Sequence, residues 1–157
     1  MLTAMLLALG CGCAPDTGAA RTGSPATSSA AASDEARALG VLRAWDRRRA
    51  TAWAQGSTRA LGRLYVGDAG RQDVRRLADY TARGLVVREM SVQVLDVRVL
   101  ASGTDRLRVA FTDRLARAVA ARRDGTVVGP LPRGGAVRHV VVLVRDGGTW
   151  RVATVSR

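Results

Sequence analysis

The chain has 157 residues, of which 47 % are apolar, enough for one domain of ordinary size with its own hydrophobic core. Its formal net charge is +12, and all 25 basic residues are arginine, which a GC-rich coding sequence would explain. Both cysteines lie within the first 13 residues, so the rest of the chain excludes disulfides and cysteine-ligated metal sites.

Residues 1–10 form an apolar run that is too short to cross a bilayer, which needs about 20 residues. The run resembles the apolar segment of a secretory signal. The stretch Leu7 to Cys11 resembles the processing site of bacterial lipoproteins, and this resemblance implies a diacylglycerol thioether on Cys11. We therefore expect an extracytoplasmic protein anchored to the outer face of the cytoplasmic membrane. No basic residue precedes the run, so we also expect the leader to be truncated. The alternatives are an ordinary non-lipoprotein signal peptide and a chance apolar start.

Residues 11–33 are dominated by Ala, Ser, Thr, Gly and Pro. They lack the large apolar side chains whose burial would offset the entropy of ordering the chain. The composition predicts a disordered tether over 11–33 and a single folded domain over 34–157.

The first part of this domain has helical periodicity. A helix is predicted to begin at Asp34 and to end before Gly56, with Asp46 among its outward residues. A second helix, capped by Ser57, carries Leu61, Leu64 and Tyr65, and a third ends near Arg83, before Gly84. Apolar residues of the first helix recur at helical spacing: Leu39, Leu42, Trp45, Ala52 and Trp53.

From Leu85 onward the pattern alternates with a period of two, which indicates strands. Turn residues separate these strands at 102–105, 124–125 and 146–148. The predicted strands cover 86–87, 92–100, the long run beginning at 106, 137–145 and 150–155. Helices followed by consecutive hairpin strands predict an α+β fold with an antiparallel sheet.

This order resembles the nuclear transport factor 2-like superfamily, which includes SnoaL-like polyketide cyclases and ketosteroid isomerases. The resemblance covers about 36–157 and rests on the helix with Trp45, the break at Gly56 and the closing run Thr149 to Val152. The run Leu77 to Leu85, with Thr112 to Leu115 later, is similar to uncharacterised actinobacterial exported proteins. The resemblance implies a cone-like fold, with N-terminal helices on a curved sheet and a pocket between them. Enzymatic members place an Asp, a His or a Tyr in that pocket.

Asp113 is the strongest candidate for such a residue, because alternation places it on an otherwise apolar strand face. A buried carboxylate there would have a raised pKa and could act as a general base. The favoured alternative is a structural Asp, either paired with an inward arginine such as Arg117 or exposed at a bulge. His139, the only histidine, is a second candidate, although core packing or a strand-edge position is the favoured explanation for it.

Tyr65 and Tyr80 could donate a hydrogen bond into the pocket, or could simply pack between helices. The glycine-rich segment 129–135 lacks the lysine of a phosphate loop, so we predict a surface loop at the lip of the pocket. No cofactor and no metal are expected.

Three functions remain open at this stage. The favoured one is a non-enzymatic binding or protein-interaction domain, whose partner is an envelope protein or a small apolar ligand. A small isomerase, dehydratase or cyclase requires Asp113 and His139 or a tyrosine to converge in one pocket. An accessory subunit of an envelope transport complex requires a broad apolar sheet face. Nucleic acid is not an expected partner, because the arginines are scattered and no binding motif accompanies them. The oligomeric state is left open.

Overall fold

The computed structural model describes residues 25–157, with side chains from Ser29 onward. The predicted leader, the lipidation candidate Cys11 and the first part of the predicted tether lie outside the described residues. Within 25–157, no helix is both long enough and apolar enough to cross a membrane.

Three helices open the domain: α1 (Pro25–Gln55), α2 (Thr58–Gly62) and α3 (Arg71–Ala82), with a 3-10 turn at Gly67–Gly70 before α3. Helix α1 begins well before Asp34, so residues 25–33, predicted to be disordered, are helical. Their side chains from Ser29 to Ser33 are exposed and add nothing to the core. The extension follows from propensity, because alanine is the best helix former and proline is favoured at a first helical position.

Helix α2 is capped as predicted, since the Ser57 side chain accepts a hydrogen bond from the Ala60 amide at 3.1 Å. The helix ends at Gly62, so the prediction that Tyr65 lies on it is wrong. Tyr65 instead forms an isolated bridge with Val152 of the last strand. Two backbone hydrogen bonds of 2.9 Å hold this crossing, from Val66 N to Val152 O and from Val152 N to Leu64 O.

Five antiparallel strands follow: β1 (Leu85–Ser102), β2 (Arg106–Arg122), β3 (Val127–Pro130), β4 (Val137–Asp146) and β5 (Thr149–Ser156). The sheet order is β1-β2-β4-β5, and β3 pairs with the far part of β2. The separate strands predicted at 86–87 and 92–100 are one strand, which continues through an irregularity where Glu89 has a φ of 54°. The glycine-rich segment begins inside β3 and only then becomes a loop.

Register shifts along β1 curve the sheet around the helices, because each bulge bends the strand that carries it. The concave face packs against α1, α2 and α3 in one core. Its largest fully buried side chains are Leu61, Leu77, Leu107, Leu143, Val87, Val109 and Val152. The predicted architecture, N-terminal helices on a curved antiparallel sheet, is confirmed. The sheet does not close, because β1 and β5 are its edge strands and do not pair.

Candidate functional site

A cavity of about 590 Å³ lies between the helices and the concave face of the sheet. Most of its wall is apolar, with Trp45 and Trp53 on the helical side and Phe111 and Val141 on the strands. Among the polar side chains of this wall, two groups are held by ion pairs or hydrogen bonds within the group. A cavity of this size and lining is typical of sites for small organic molecules.

The first group is a pair formed by Asp113 of β2 and His139 of β4. In the register of these strands, Phe111 lies opposite His139, so Asp113 is its diagonal neighbour on the same face. His139 Nε2 lies 3.3 Å from Asp113 Oδ1, and the two side chains are 19 % and 22 % exposed. Both residues line the cavity, so two of the four predicted site residues come together there.

Burial raises the pKa of Asp113, although His139 and Arg49 oppose the shift. The predicted arginine partner is wrong, because Arg117 pairs with Glu89 at 2.5 Å and both side chains are exposed. Between Leu115 and Arg117 the register with β1 shifts, which turns Arg117 to the convex face. Asp113 therefore faces an imidazole inside the cavity.

His139 is fixed by its neighbours rather than free in the core. Its ring lies against Phe111, with centroids 5.4 Å apart and planes tilted by 35°. Its Nδ1 is buried and has no hydrogen-bond partner among the described residues. Since Nε2 faces a carboxylate oxygen, a proton on Nε2 is the arrangement that this geometry favours.

The second group lies across the cavity on the helical side. Arg49 of α1 donates to both oxygens of Asp73 on α3, each at 2.7 Å. The Tyr65 hydroxyl donates to Asp73 Oδ2 at 2.8 Å. This group joins α1, the crossing before the 3-10 turn and α3.

The pKa values of this group follow from burial and charge. Burial alone would raise the pKa of Asp73, but the hydrogen bonds from Arg49 and Tyr65 outweigh it and lower that pKa. Burial and the Asp73 carboxylate raise the pKa of Tyr65. Burial alone would lower the pKa of Arg49, but the hydrogen bond and charge of Asp73 raise it. The group is therefore a stable ion pair to which the Tyr65 hydroxyl donates its hydrogen bond. Tyr65 thus has no free proton to donate to a ligand.

Asp46 also lines the cavity, so its prediction as an outward residue of α1 is wrong. It lies one helical turn before Arg49, with Oδ1 and Nη1 4.0 Å apart. Burial raises the pKa of Asp46, Arg49 opposes the shift, and the carboxylates of Asp113 and Asp73 add to it. The sequence held a signal, because Asp46 and Arg49 lie within one turn of the apolar Leu42 and Trp53 on the same helix.

Tyr80, the fourth candidate from the sequence, also lines the cavity. Its ring meets Trp53 edge-to-face at 5.6 Å, and the Arg83 guanidinium lies 4.8 Å from the ring centroid. Its hydroxyl makes no hydrogen bond within 25–157, and packing explains its position. The same described residues contain no group of three or more His, Cys, Asp or Glu side chains that could hold a metal ion.

No protein-family model matches the sequence, and no curated protein matches it. Among solved structures, the association domain of C. elegans CaMKII superimposes with a TM-score of 0.50 and 16 % identity, covering 78 % of this chain and 95 % of that one. A protein from Catenulispora acidiphila has a TM-score of 0.49 and 17 % identity, covering 78 % and 91 % of the two chains. An NTF2-like family protein from Streptomyces avermitilis has a TM-score of 0.45 and 15 % identity, covering 77 % and 95 %.

These similarities concern the fold alone. With the element order and topology described above, the chain has an α+β fold of N-terminal helices on a curved antiparallel sheet, and this fold is similar to that of the CaMKII association domain. No activity follows from sequence identities this low, so function has to be argued from the cavity.

Proposed function

We propose that this chain is an exported, lipid-anchored domain that binds a small, largely apolar molecule in its cavity and transfers a proton on it through Asp113. The apolar run of residues 1–10 and the cysteine at position 11 support export and lipid anchoring. One observation supports the chemistry: Asp113 and His139 meet at 3.3 Å inside the cavity. The apolar lining supports the class of ligand.

We favour an isomerase, dehydratase or cyclase type of activity over simple binding, because Asp113 and His139 lie together in the cavity, as such an enzyme would require. The alternative function, an accessory subunit of an envelope transport complex, is disfavoured for a separate reason. It requires a broad apolar sheet face, and the convex face of the described sheet carries several exposed arginines.

Asp113 is the group that would accept the proton. A raised pKa makes its ionised form a stronger base than an ordinary aspartate, which favours removal of a weakly acidic C–H proton at neutral pH. His139 Nε2 lies 3.3 Å from Asp113 Oδ1, and the imidazole ring packs against Phe111. We assign His139 the role of positioning the carboxylate. The natural substrate would carry a carbonyl beside the carbon that loses the proton, so that the charge can delocalise.

The test uses 3-cyclohexenone as a small apolar probe. The base removes a proton from the carbon between the carbonyl and the alkene, and the proton returns at the far alkene carbon, so the double bond moves into conjugation and ultraviolet absorbance rises. We expect the wild-type chain to accelerate this isomerisation over buffer. Asp113→Asn should lose about 10²–10⁴-fold of the acceleration, the range of general acid–base catalysis.

Asp96→Asn is the matched control, because Asp96 lies on the same sheet but is exposed and absent from the cavity wall. It should keep wild-type activity. Saturable binding of the probe without acceleration would leave a binding domain and contradict the proposed proton transfer. Equal rates for Asp113→Asn and wild type would also contradict it.

A further inference from the structure

The convex face of the sheet is strongly basic. Along β2, Leu107, Val109 and Phe111 face the helices, so the alternate residues point to the opposite side. Register then places residues of β1 and β4 beside them on that side. We call this surface the basic face; its exposed arginines are Arg98, Arg106, Arg108, Arg114 and Arg138.

The charges of the basic face are unpaired. None of its five arginines makes an ion pair with another residue in the described range. Arg117, farther along β2 on the same side of the sheet, is not counted among them because it pairs with Glu89. Arg114 donates only to the neutral Gln93 Oε1, at 2.9 and 2.7 Å. Asp96, in register with Thr112, is the single acidic residue among these rows of β1, β2 and β4. The face is therefore a concentrated positive field.

Two buried apolar residues lie in register with arginines on this face. Ala110 and Val142 are 3 % and 9 % exposed, although the helices pack on the other side of the sheet. Their in-register neighbours are Arg98 and Arg108. Long aliphatic stems can cover such residues while the guanidinium heads stay in water. The heads then form a broad, shallow surface roughly 26 Å long, at about 3.3 Å per residue along β2.

We propose that the basic face docks on the surface of an anionic lipid bilayer. The unpaired guanidinium groups of the convex face can contact a layer of lipid phosphates, to which Arg donates in a forked geometry. Leu95 and Leu100, 46 % and 44 % exposed, lie beside Arg98 on the edge strand β1. A bilayer boundary offers these side chains an apolar environment, which a soluble polyanion does not.

A second copy of the chain is a poorer occupant. Face-to-face packing would bring two sets of five guanidinium groups together with only Asp96 from each copy to neutralise them. Like charges placed opposite each other across an interface repel and disfavour association. The docking is independent of the proposed proton transfer, because the cavity opens on the other side of the sheet.

The experiment measures partitioning of the full chain onto vesicles by co-sedimentation. The chain carries Cys11→Ala and Cys13→Ala, so that no lipid is attached. Vesicles are pure phosphatidylcholine or phosphatidylcholine with 30 % phosphatidylglycerol. We expect binding to the anionic vesicles that falls steeply between 0.05 and 0.5 M NaCl, since salt screens surface charges.

Changing all five arginines of the basic face to glutamine should weaken this binding at least 100-fold, at about fivefold for each arginine near the surface. The matched control changes five exposed arginines on the helical side to glutamine, namely Arg43, Arg47, Arg59, Arg63 and Arg75. It removes the same net charge and should retain most of the binding.

Equal losses in the two variants would overturn the proposal, because binding would then follow net charge alone. Equal binding to neutral and anionic vesicles would overturn it too. A concentration-dependent dimer that only the basic-face substitutions abolish would assign the face to a second copy instead.

Discussion

The Arg49–Asp73–Tyr65 group makes a strong prediction about stability. Asp73→Ala removes a carboxylate that accepts two hydrogen bonds from Arg49 at 2.7 Å and one from Tyr65 at 2.8 Å. The Arg49 and Asp73 side chains are only 21 % and 13 % exposed, so water replaces the lost partner poorly. Removing one member of a buried pair costs about 3–5 kcal/mol, and partial exposure favours the lower end.

We therefore expect a loss of about 3 kcal/mol in the free energy of unfolding, or roughly 10 °C in Tm. Urea unfolding followed by tryptophan fluorescence measures it, since Trp53 lies beside Arg49. The pKa of Asp73 is lowered in the fold, so the ion pair contributes stability above the unfolded pKa of about 3.9 and loses it as pH falls through the folded pKa. The difference between wild type and variant should therefore shrink at strongly acidic pH.

Two controls separate the ion pair from a general effect on α3. Asp79→Ala, on the exposed side of the same helix, should change stability by less than about 0.5 kcal/mol. Asp73→Ala combined with Arg49→Met should recover much of the loss, because no unpaired charge is left buried. A loss below about 1 kcal/mol in the single variant, or a double variant no better than the single, would refute this reasoning.

The remaining predictions concern three separate sites. Burial raises the pKa of Asp113, so protonated Asp113 contributes to the free energy of unfolding below the unfolded pKa of about 3.9, and this contribution is lost as pH rises through the folded pKa. Asp113→Asn should therefore have the melting temperature of wild type near pH 3 and a higher one at pH 7. A lower melting temperature of the variant at pH 7 would contradict this. Gly70→Ala should cost about 1–3 kcal/mol in urea unfolding, because a Cβ there lies 2.3 Å from the Tyr65 ring, whereas Gly40→Ala, with open space around it, should be neutral or stabilising. Cys11→Ala should stop lipidation in a host with lipoprotein processing, and an unlipidated wild-type protein by mass spectrometry would contradict the anchor.

Much of the sheet could be predicted because its signals are local. Alternation in β2 placed Asp113 on the concave face from sequence alone, and turn residues marked the hairpins. The early start of α1 escaped prediction because residues 25–33 have no large apolar side chains to show a helical period. Their helix extends from the packed part of α1, and propagation of a formed helix leaves no pattern in hydrophobicity.

The pairing within the site depends on register, which sequence patterns do not fix. Whether His139 lies diagonal to Asp113 or one residue away is decided by how β4 aligns on β2. The Arg49–Asp73 ion pair joins α1 to α3, and the sequence pattern within either helix does not predict which residue of the other helix it pairs with. Simple alternation along β2 predicted that Arg117 lies on the same face as Asp113. The register shift between Leu115 and Arg117 places it on the other face.

The central claim is that His139 interacts with Asp113 through Nε2 inside the cavity. It can be tested on one NMR resonance, because the chain has a single histidine. A two-dimensional ¹H–¹⁵N spectrum of the imidazole reports which ring nitrogen carries the proton in the neutral form. Since Nε2 faces Asp113 Oδ1 at 3.3 Å, we predict the Nε2–H tautomer in the wild type, and a mixture of tautomers in Asp113→Ala. Addition of 3-cyclohexenone should shift this resonance. An Nδ1–H tautomer in the wild type, or a resonance that ignores both the substitution and the probe, would contradict the account.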